Sequence, residues 1–416
     1  MKIKDLFKRL GPGFITGAAD DDPSGIATYA QTGVKFGYGQ LWTALFSFPF
    51  MTAVQEMCGR IGMVTGNGLS GILRKHYPRP VLAVSVTLLV IANTINIGAD
   101  LGAMASATQM LFGLPFFFWL IMLTVLTLFL EIFVSYSQYA KFLKWLTFSL
   151  FAYIIVAFII KQDWALVAYS TFVPSFTLSR DYLLNIVAIL GTTISPYLFF
   201  WQADEEVEEE IVQHKITGIG EGTPVVEERD LKGMRIDTIL GMFFSNLVMF
   251  FIIMTSASTL KSQGITSIDT ATQAAEALRP LAGDLTYLLF TVGILGVGLL
   301  AVPILAGSAS YAIAEAVGWK SGLYRKFNDA HGFYGVIAVA TLLGLIVNFL
   351  HIPPFKMLYY TAIFNGLAAP ALLVMILLIS NNKAIMGKHV NGPLSNVLGI
   401  IITVIMTVAG ILVLFF

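Results

Sequence analysis

Three aspartates, a proline and a glycine stand inside the first apolar segment of the chain, in the stretch Ala18-Ala19-Asp20-Asp21-Asp22-Pro23-Ser24-Gly25. Charges and unpaired backbone groups each cost on the order of several kcal/mol in hydrocarbon, so this stretch cannot be lipid-facing helix. The helix must break there, inside protein. Such a break exposes backbone carbonyls and half-helix ends, and with carboxylates added it forms a cage of hard oxygen ligands suited to a cation.

Composition agrees with a membrane setting. Of 416 residues 56% are hydrophobic and 12% charged, with a mean hydropathy of +0.79, whereas a soluble chain carries roughly 25% charge. Many apolar runs reach the ~20 residues needed to cross about 30 Å of hydrocarbon, so the fold class is an all-α polytopic membrane protein in a lipid bilayer. The formal net charge is zero, which suggests no nucleic acid, and no protein partner is evident. Cys58 is the single cysteine, excluding an internal disulfide and a Cys-based metal cluster. The spans hold no nucleophile-base pair or phosphate loop, so an enzyme is not expected. Lys2, Lys4, Lys8 and Arg9 precede the first span without a small-residue cleavage pattern, so that span is read as retained.

Hydropathy gives about eleven spans, at 11–34 (broken), 41–64, 81–106, 115–135, 142–160, 184–212 (broken), 236–259, 283–317, 333–350, 356–380 and 394–416. The connection 213–235 holds Gly218-Ile219-Gly220-Glu221-Gly222-Thr223-Pro224 and reads as a flexible loop. With the N-terminus cytoplasmic and the C-terminus outside, nineteen of the 25 Lys and Arg residues fall on the inner side, as the positive-inside rule requires of a multi-pass protein of the cell membrane.

A second break follows five helices after the first, at Gly191-Thr192-Thr193-Ile194-Ser195-Pro196-Tyr197. Five is odd, so the second unit enters from the opposite side. Two inverted five-helix repeats, 1–180 and 181–382, each starting with a discontinuous helix, place a substrate at the midplane between the breaks. A C-terminal span at 383–416 is then an appendage. The rival reading is that the prolines merely kink continuous helices, which for Pro23 leaves three adjacent aspartates unexplained.

These residues resemble the Nramp family of divalent metal transporters. Gly11-Pro12-Gly13-Phe14 followed by Asp22-Pro23 is similar to the family's opening, in which GPGF leads to Asp-Pro-Gly-Asn. Gln55 through Gly66 resembles its second span, and Ala99-Asp100-Leu101 with Leu111-Phe112-Gly113-Leu114-Pro115 its third. The resemblance runs from residue 11 to about 380 and implies a LeuT-like fold with broken first and sixth helices.

The binding motifs depart from the family. Asp22-Pro23-Ser24-Gly25 keeps the carboxylate and loses the amide, and Ser195-Pro196-Tyr197 stands where the family has Met-Pro-His. Methionine is a soft ligand suited to manganese, iron or cadmium, and Ser195 leaves an oxygen-only site. Gly25 and Ser195 are also smaller than the family residues, which leaves room for part of the ion's water shell; magnesium keeps such waters. The family's third-helix Glu reads Ala103 and its sixth-helix His reads Tyr197, so proton coupling is not expected. The departures resemble the Nramp-related magnesium transporters, which take magnesium and manganese.

The candidate metal site therefore comprises Asp22, Ser24, Gly25, Asp21, Thr192, Ser195, Tyr197 and Asn365, with Asp22 in direct contact and no other cofactor. Consecutive helical residues point about 100° apart, so Asp21 and Asp20 are read as water-mediated contacts or as guides on the approach path. A solvated vestibule position is the equal alternative for Asp20. Asn93, Asn96 and Asp100 share one helix face; interhelical hydrogen bonding is the favoured reading for the asparagines, and the cation pathway or a buried partner for Asp100. In the acidic run Asp204-Glu205-Glu206-Val207-Glu208-Glu209-Glu210, a solvated helix face is favoured for the run, and a vestibule role for Asp204 and Glu205. Glu56 and Glu131 are expected to pair with Arg or Lys. The functional expectation is alternating-access uptake of magnesium, with manganese second. The alternatives are a proton-coupled manganese or iron carrier, a sodium-coupled organic-solute symporter and a channel.

Overall fold

Pro12 and Pro23 each start a helix, since proline's fixed φ suits the first helical position and its missing N–H would go unbonded there in any case. In the computed structural model, which describes residues 11–134 and 148–415, α1 is Pro12–Asp20 and α2 is Pro23–Phe36. The end of the bundle where α1 begins is termed the near face. The chain returns through α3 (Trp42–Thr65), which stops at Gly66 with φ +64°, and crosses the near face in α4 (Leu69–His76). It then rises in α5 (Arg79–Phe112) and descends in α6 (Phe116–Phe133).

The fifth span expected at 142–160 begins outside the described residues, as do Lys2, Lys4, Lys8, Arg9, Lys141 and Lys144. Its described end holds α7 (Phe151–Ile159). A short helix absent from the sequence reading, α8 (Trp164–Phe172), starts where the Asp163 side chain accepts from Leu166 N. The second broken pair is α9 (Arg180–Thr193) and α10 (Pro196–Val212). There follow α11 (Glu228–Thr259), α12 (Thr286–Val317), α13 (His331–Val347), α14 (Pro354–Asn381) and α15 (Pro393–Phe415). The chain is nearly all helical, with no strand among the described residues. The expected loop 213–235 is shorter than its sequence suggested: α11 starts at Glu228 because Glu227 and Asp230 form a capping box. Gly220 N also donates 2.7 Å to the Gly66 carbonyl, fixing the loop to α3.

Eight helical segments among the described residues are long and apolar enough to cross a membrane. On α6, Phe118, Ile121, Val125 and Phe129 are all exposed at three- and four-residue spacing, an apolar stripe with no protein cover. The inward packing is set by small residues instead, which let backbones approach. A Cβ on Gly17 would lie 2.3 Å from the Gly241 carbonyl carbon, so α1 lies directly on α11. A Cβ on Gly191 would lie 2.1 Å from the Ala362 oxygen, so α9 lies as closely on α14. Each broken helix is thereby held by one continuous helix.

Candidate metal centre

Asp22 sits where the halves of the first span meet. Asp21 ends α1, and Asp22 is the extended N-cap of α2, its Oδ1 accepting from Gly25 N at 2.7 Å and from Ser24 Oγ at 2.6 Å. The carboxylate thus satisfies orphan donors of α2 and lies at its positive end. Its Oδ2 accepts from Asn96 Nδ2 of α5 at 3.0 Å. An ionised carboxylate only accepts, which turns the Asn96 Oδ1 away, and that oxygen is buried without a donor. Ser24 Oγ lies 3.4 Å from Thr192 Oγ1 of α9, which links the two breaks.

Gly25 does not leave an open void. A Cβ there would lie 3.1 Å from the Asp20 carbonyl oxygen, 3.3 Å from the Tyr29 ring and 3.5 Å from Thr192 Oγ1. The space that a larger residue would occupy is bounded at contact distance, largely by oxygen.

Ser195 stands at the second break as the N-cap of α10. Its hydroxyl hydrogen is shared between the carbonyls of Gly191 at 2.7 Å and Thr192 at 2.8 Å, so it ties up the free end of α9. Tyr197 donates through its hydroxyl to the Ala19 carbonyl at 2.9 Å and joins α10 to α1. Asn365 is buried on α14 beside Gly366, where that helix meets α9, and no described hydrogen bond joins it to Asp22. The structure therefore brings Asp22, Ser24, Gly25, Thr192 and Asn96 together, with Tyr197 one carbonyl away. All of these side chains are buried.

Asp20 is fully buried, not solvated: its Oδ2 accepts from Ser245 Oγ of α11 at 2.5 Å, and its Oδ1 has no partner. Asp21 Oδ1 lies 3.4 Å from the same hydroxyl. Asp100, one turn beyond Asn96, is buried with both carboxylate oxygens unpartnered. Asn93 makes the interhelical bonds expected of it, to the Leu305 carbonyl at 2.9 Å and Ser308 Oγ at 2.7 Å. Asn96 also makes an interhelical bond, to Asp22 at the start of α2. Among the described residues no three His, Cys, Asp or Glu side chains are grouped to hold a metal, and the neighbouring Asp20 and Asp21 carboxylates are turned to Ser245.

The acidic run is not a solvated face. Asp204, Glu206 and Glu210 are buried because α10 packs against α3 on one side and α12 on another. Glu206 accepts from Gln202 Nε2 at 2.9 Å, Glu210 pairs with Lys215 at 3.2 Å, and Glu208 accepts from Tyr311 Oη and Leu323 N. Asp204 has no partner for either oxygen, nor Glu205 for its Oε1. Glu206, Glu209 and Glu210 line a cavity of about 720 Å³ beside the start of α1, on the near face. Glu56 pairs as expected with Arg60 at 3.0 Å and Arg235 at 2.9 Å. Glu131 instead accepts from Thr341 Oγ1 at 3.4 Å, with no basic partner among the described residues.

Two residues that anchor α1 escaped the sequence reading. Asp237 accepts from Gly11 N at 3.0 Å, Gly13 N at 2.8 Å and Phe14 N at 3.3 Å, capping α1 from another helix, and Ser245 holds Asp20. Asp237, Gly241 and Ser245 recur every fourth residue of α11, a face pattern that marks the contact.

A bundle in which two half-broken helices meet at a buried, capped carboxylate has the plan of a discontinuous-helix membrane carrier. The sequence matches the Nramp family, natural resistance-associated macrophage protein-like, over residues 13–416, and the chain belongs to that family. It is similar to the divalent metal cation transporter MntH of Caldanaerobacter subterraneus subsp. tengcongensis, 26% identical over 99% of this chain and 94% of the relative. MntH of Mesorhizobium japonicum is 29% identical over 71% of this chain and 65% of the relative. Among solved structures, the manganese transporter of Eremococcus coleocola superposes with a TM-score of 0.78 at 17% identity, covering 98% of this chain and 86% of that one. Inward-facing Mhp1 gives 0.58 at 13% identity, covering 96% and 90%. The chain is thus a multi-pass membrane transporter of the divalent-metal class, with the LeuT-like fold, and not an enzyme.

Proposed function

We propose that the chain carries magnesium first and manganese second by alternating access, with the ion partly hydrated at Asp22 and without proton coupling. The observation that supports this is that the polar groups around Asp22 and the Gly25 cradle include no thioether or imidazole. The Ser24 and Thr192 hydroxyls and the Asp20 carbonyl offer oxygen there, while Asn96 presents its Nδ2 donor to Asp22. Hard oxygen with one or two carboxylates suits an ion that keeps several waters.

In this reading Asp22 supplies charge, and Ser24 and Thr192 offer hydroxyl oxygen. Ser195 orients the α9 carbonyls, while Tyr197 and Asn365 close the sides. Asp20 and Asp21 act through water, and Asp100 and Asn96 border the path. Asp204 and Glu205 lie towards the near-face vestibule. The repeats 1–180 and 181–382 rock about this centre, with 383–416 outside them. The near face is cytoplasmic in the cell membrane, the orientation that puts nineteen of the 25 Lys and Arg residues inside.

A second reading, a proton-coupled manganese or iron carrier, is favoured by the names of the relatives and by the unpartnered carboxylate oxygens of Asp20 and Asp100. Competition separates the two. Magnesium in excess should suppress manganese uptake by the wild-type protein, and Asp22→Ala should abolish uptake of both; near-normal uptake by that variant contradicts the proposal.

A further inference from the structure

Three basic side chains on the near face pair closely with carboxylates: Arg60 and Arg235 with Glu56, and Lys215 with Glu210 and Asp230 at 3.2 and 2.8 Å. Four others pair less closely or not at all. Arg74, Lys75, Lys320 and Arg325 line a single cavity of about 400 Å³, and their one carboxylate approach among the described residues is Arg325 Nη2 to Glu221 at 3.8 Å. The second acid there, Glu315, is already engaged, accepting from Gly68 N and Gly71 N at 2.8 Å each. Lys75 donates to the Asn67 amide oxygen at 2.6 Å and Arg74 to the Glu315 main-chain carbonyl at 3.3 Å. Those acceptors are neutral, so the four cations of the wall face only the Glu221 and Glu315 carboxylates and the cavity keeps an excess of positive charge.

Positive charge gathered in a concave wall focuses its field on the cavity, and Arg forks with Lys point charges are the usual donors to phosphate oxygens. Three separate segments contribute: the end of α4, the 218–221 turn and the 318–325 loop. Trp319 stands on the rim, 52% exposed, next to Val317, 53% exposed. An exposed tryptophan beside apolar surface at a span end marks the headgroup level of a bilayer.

We propose that this cavity binds the phosphate of an anionic phospholipid headgroup, and that the bound lipid ties the 318–325 loop to α4. Basic pockets between helix ends take such headgroups. Trp319, exposed among the lining residues just past the end of an apolar span, favours a lipid over a free phosphate.

The test uses the full chain in phosphatidylcholine nanodiscs, titrated with phosphatidylglycerol while the thermal unfolding midpoint is followed. Phosphatidylglycerol should raise the midpoint saturably in the wild-type protein. Removing each cation should weaken the apparent affinity roughly fivefold, in Arg74→Gln and in Lys320→Gln, whose exposed side chain leaves folding undisturbed. Both variants should keep ion uptake in phosphatidylcholine vesicles, so this readout does not depend on which ion is carried. Unchanged lipid affinity in both variants overturns the proposal. So does an equal midpoint rise with inorganic phosphate alone, which would assign the cavity to a soluble anion.

Discussion

The Tyr197 hydroxyl of α10 donates 2.9 Å to the Ala19 carbonyl at the end of α1, so the near-face halves of the two broken helices are bonded to one another. This bond closes the near-face side of the Asp22 centre. A neutral hydrogen bond of this kind contributes about 1 kcal/mol, so Tyr197→Phe should shift the balance towards the near-face-open state roughly fivefold. With Cys58→Ser as background and Ala18→Cys as reporter, maleimide labelling should accelerate by that factor. An unchanged rate would mean that the bond does not hold the centre shut.

Asn96 fixes the direction of the Asp22 Oδ2 lone pairs from outside the break. Partners that orient a metal ligand are worth about 10–100-fold in metal affinity, so Asn96→Leu should raise KM for the ion by that order while the protein folds normally. The check is uptake kinetics on the purified variant, with circular dichroism as the folding control.

Gly25→Ala tests how tightly the centre is bounded. The new methyl meets the Asp20 carbonyl at 3.1 Å and the Tyr29 ring at 3.3 Å, and overpacking of this kind costs about 1–3 kcal/mol. Transport should fall sharply and the melting temperature by a few degrees. Gly191→Ala should be far worse for folding, since its methyl would sit 2.1 Å from the Ala362 carbonyl oxygen, which is backbone and cannot turn away.

Ser195→Met removes the hydroxyl that binds the Gly191 and Thr192 carbonyls and puts a thioether at the break. Soft sulfur favours manganese and cadmium over magnesium, so the ratio of manganese to magnesium uptake should rise. An unchanged ratio would leave Ser195 a purely structural role.

The first break was legible because carboxylates in an apolar run have no stable place on a lipid-facing helix, and Pro23 states where the new helix starts. The second was legible from Pro196 within an apolar run. What lies across from each break was not, because Asn96, Ser245 and Asp237 reach their partners over 74, 225 and 226 residues of chain and single-sequence periodicity reports only a helix's own faces. The acidic run misled for a related reason: Asp204 and Glu206 look solvated when α10 is taken alone, and become buried only once α3 and α12 flank it. The Glu227–Asp230 capping box is local in sequence, yet the glycines of 218–222 dominated the reading of 213–235 as a loop, and α11 starts earlier than its apolar run suggests.

The most direct measurement is magnesium entry into proteoliposomes holding the purified chain, with a trapped magnesium dye beside a pH dye. An uncoupled hard-ion carrier centred on Asp22 predicts a magnesium signal without acidification, lost in Asp22→Ala. Manganese entry with acidification and no magnesium entry would contradict it, and would make the buried Asp20 and Asp100 the places to look for the proton.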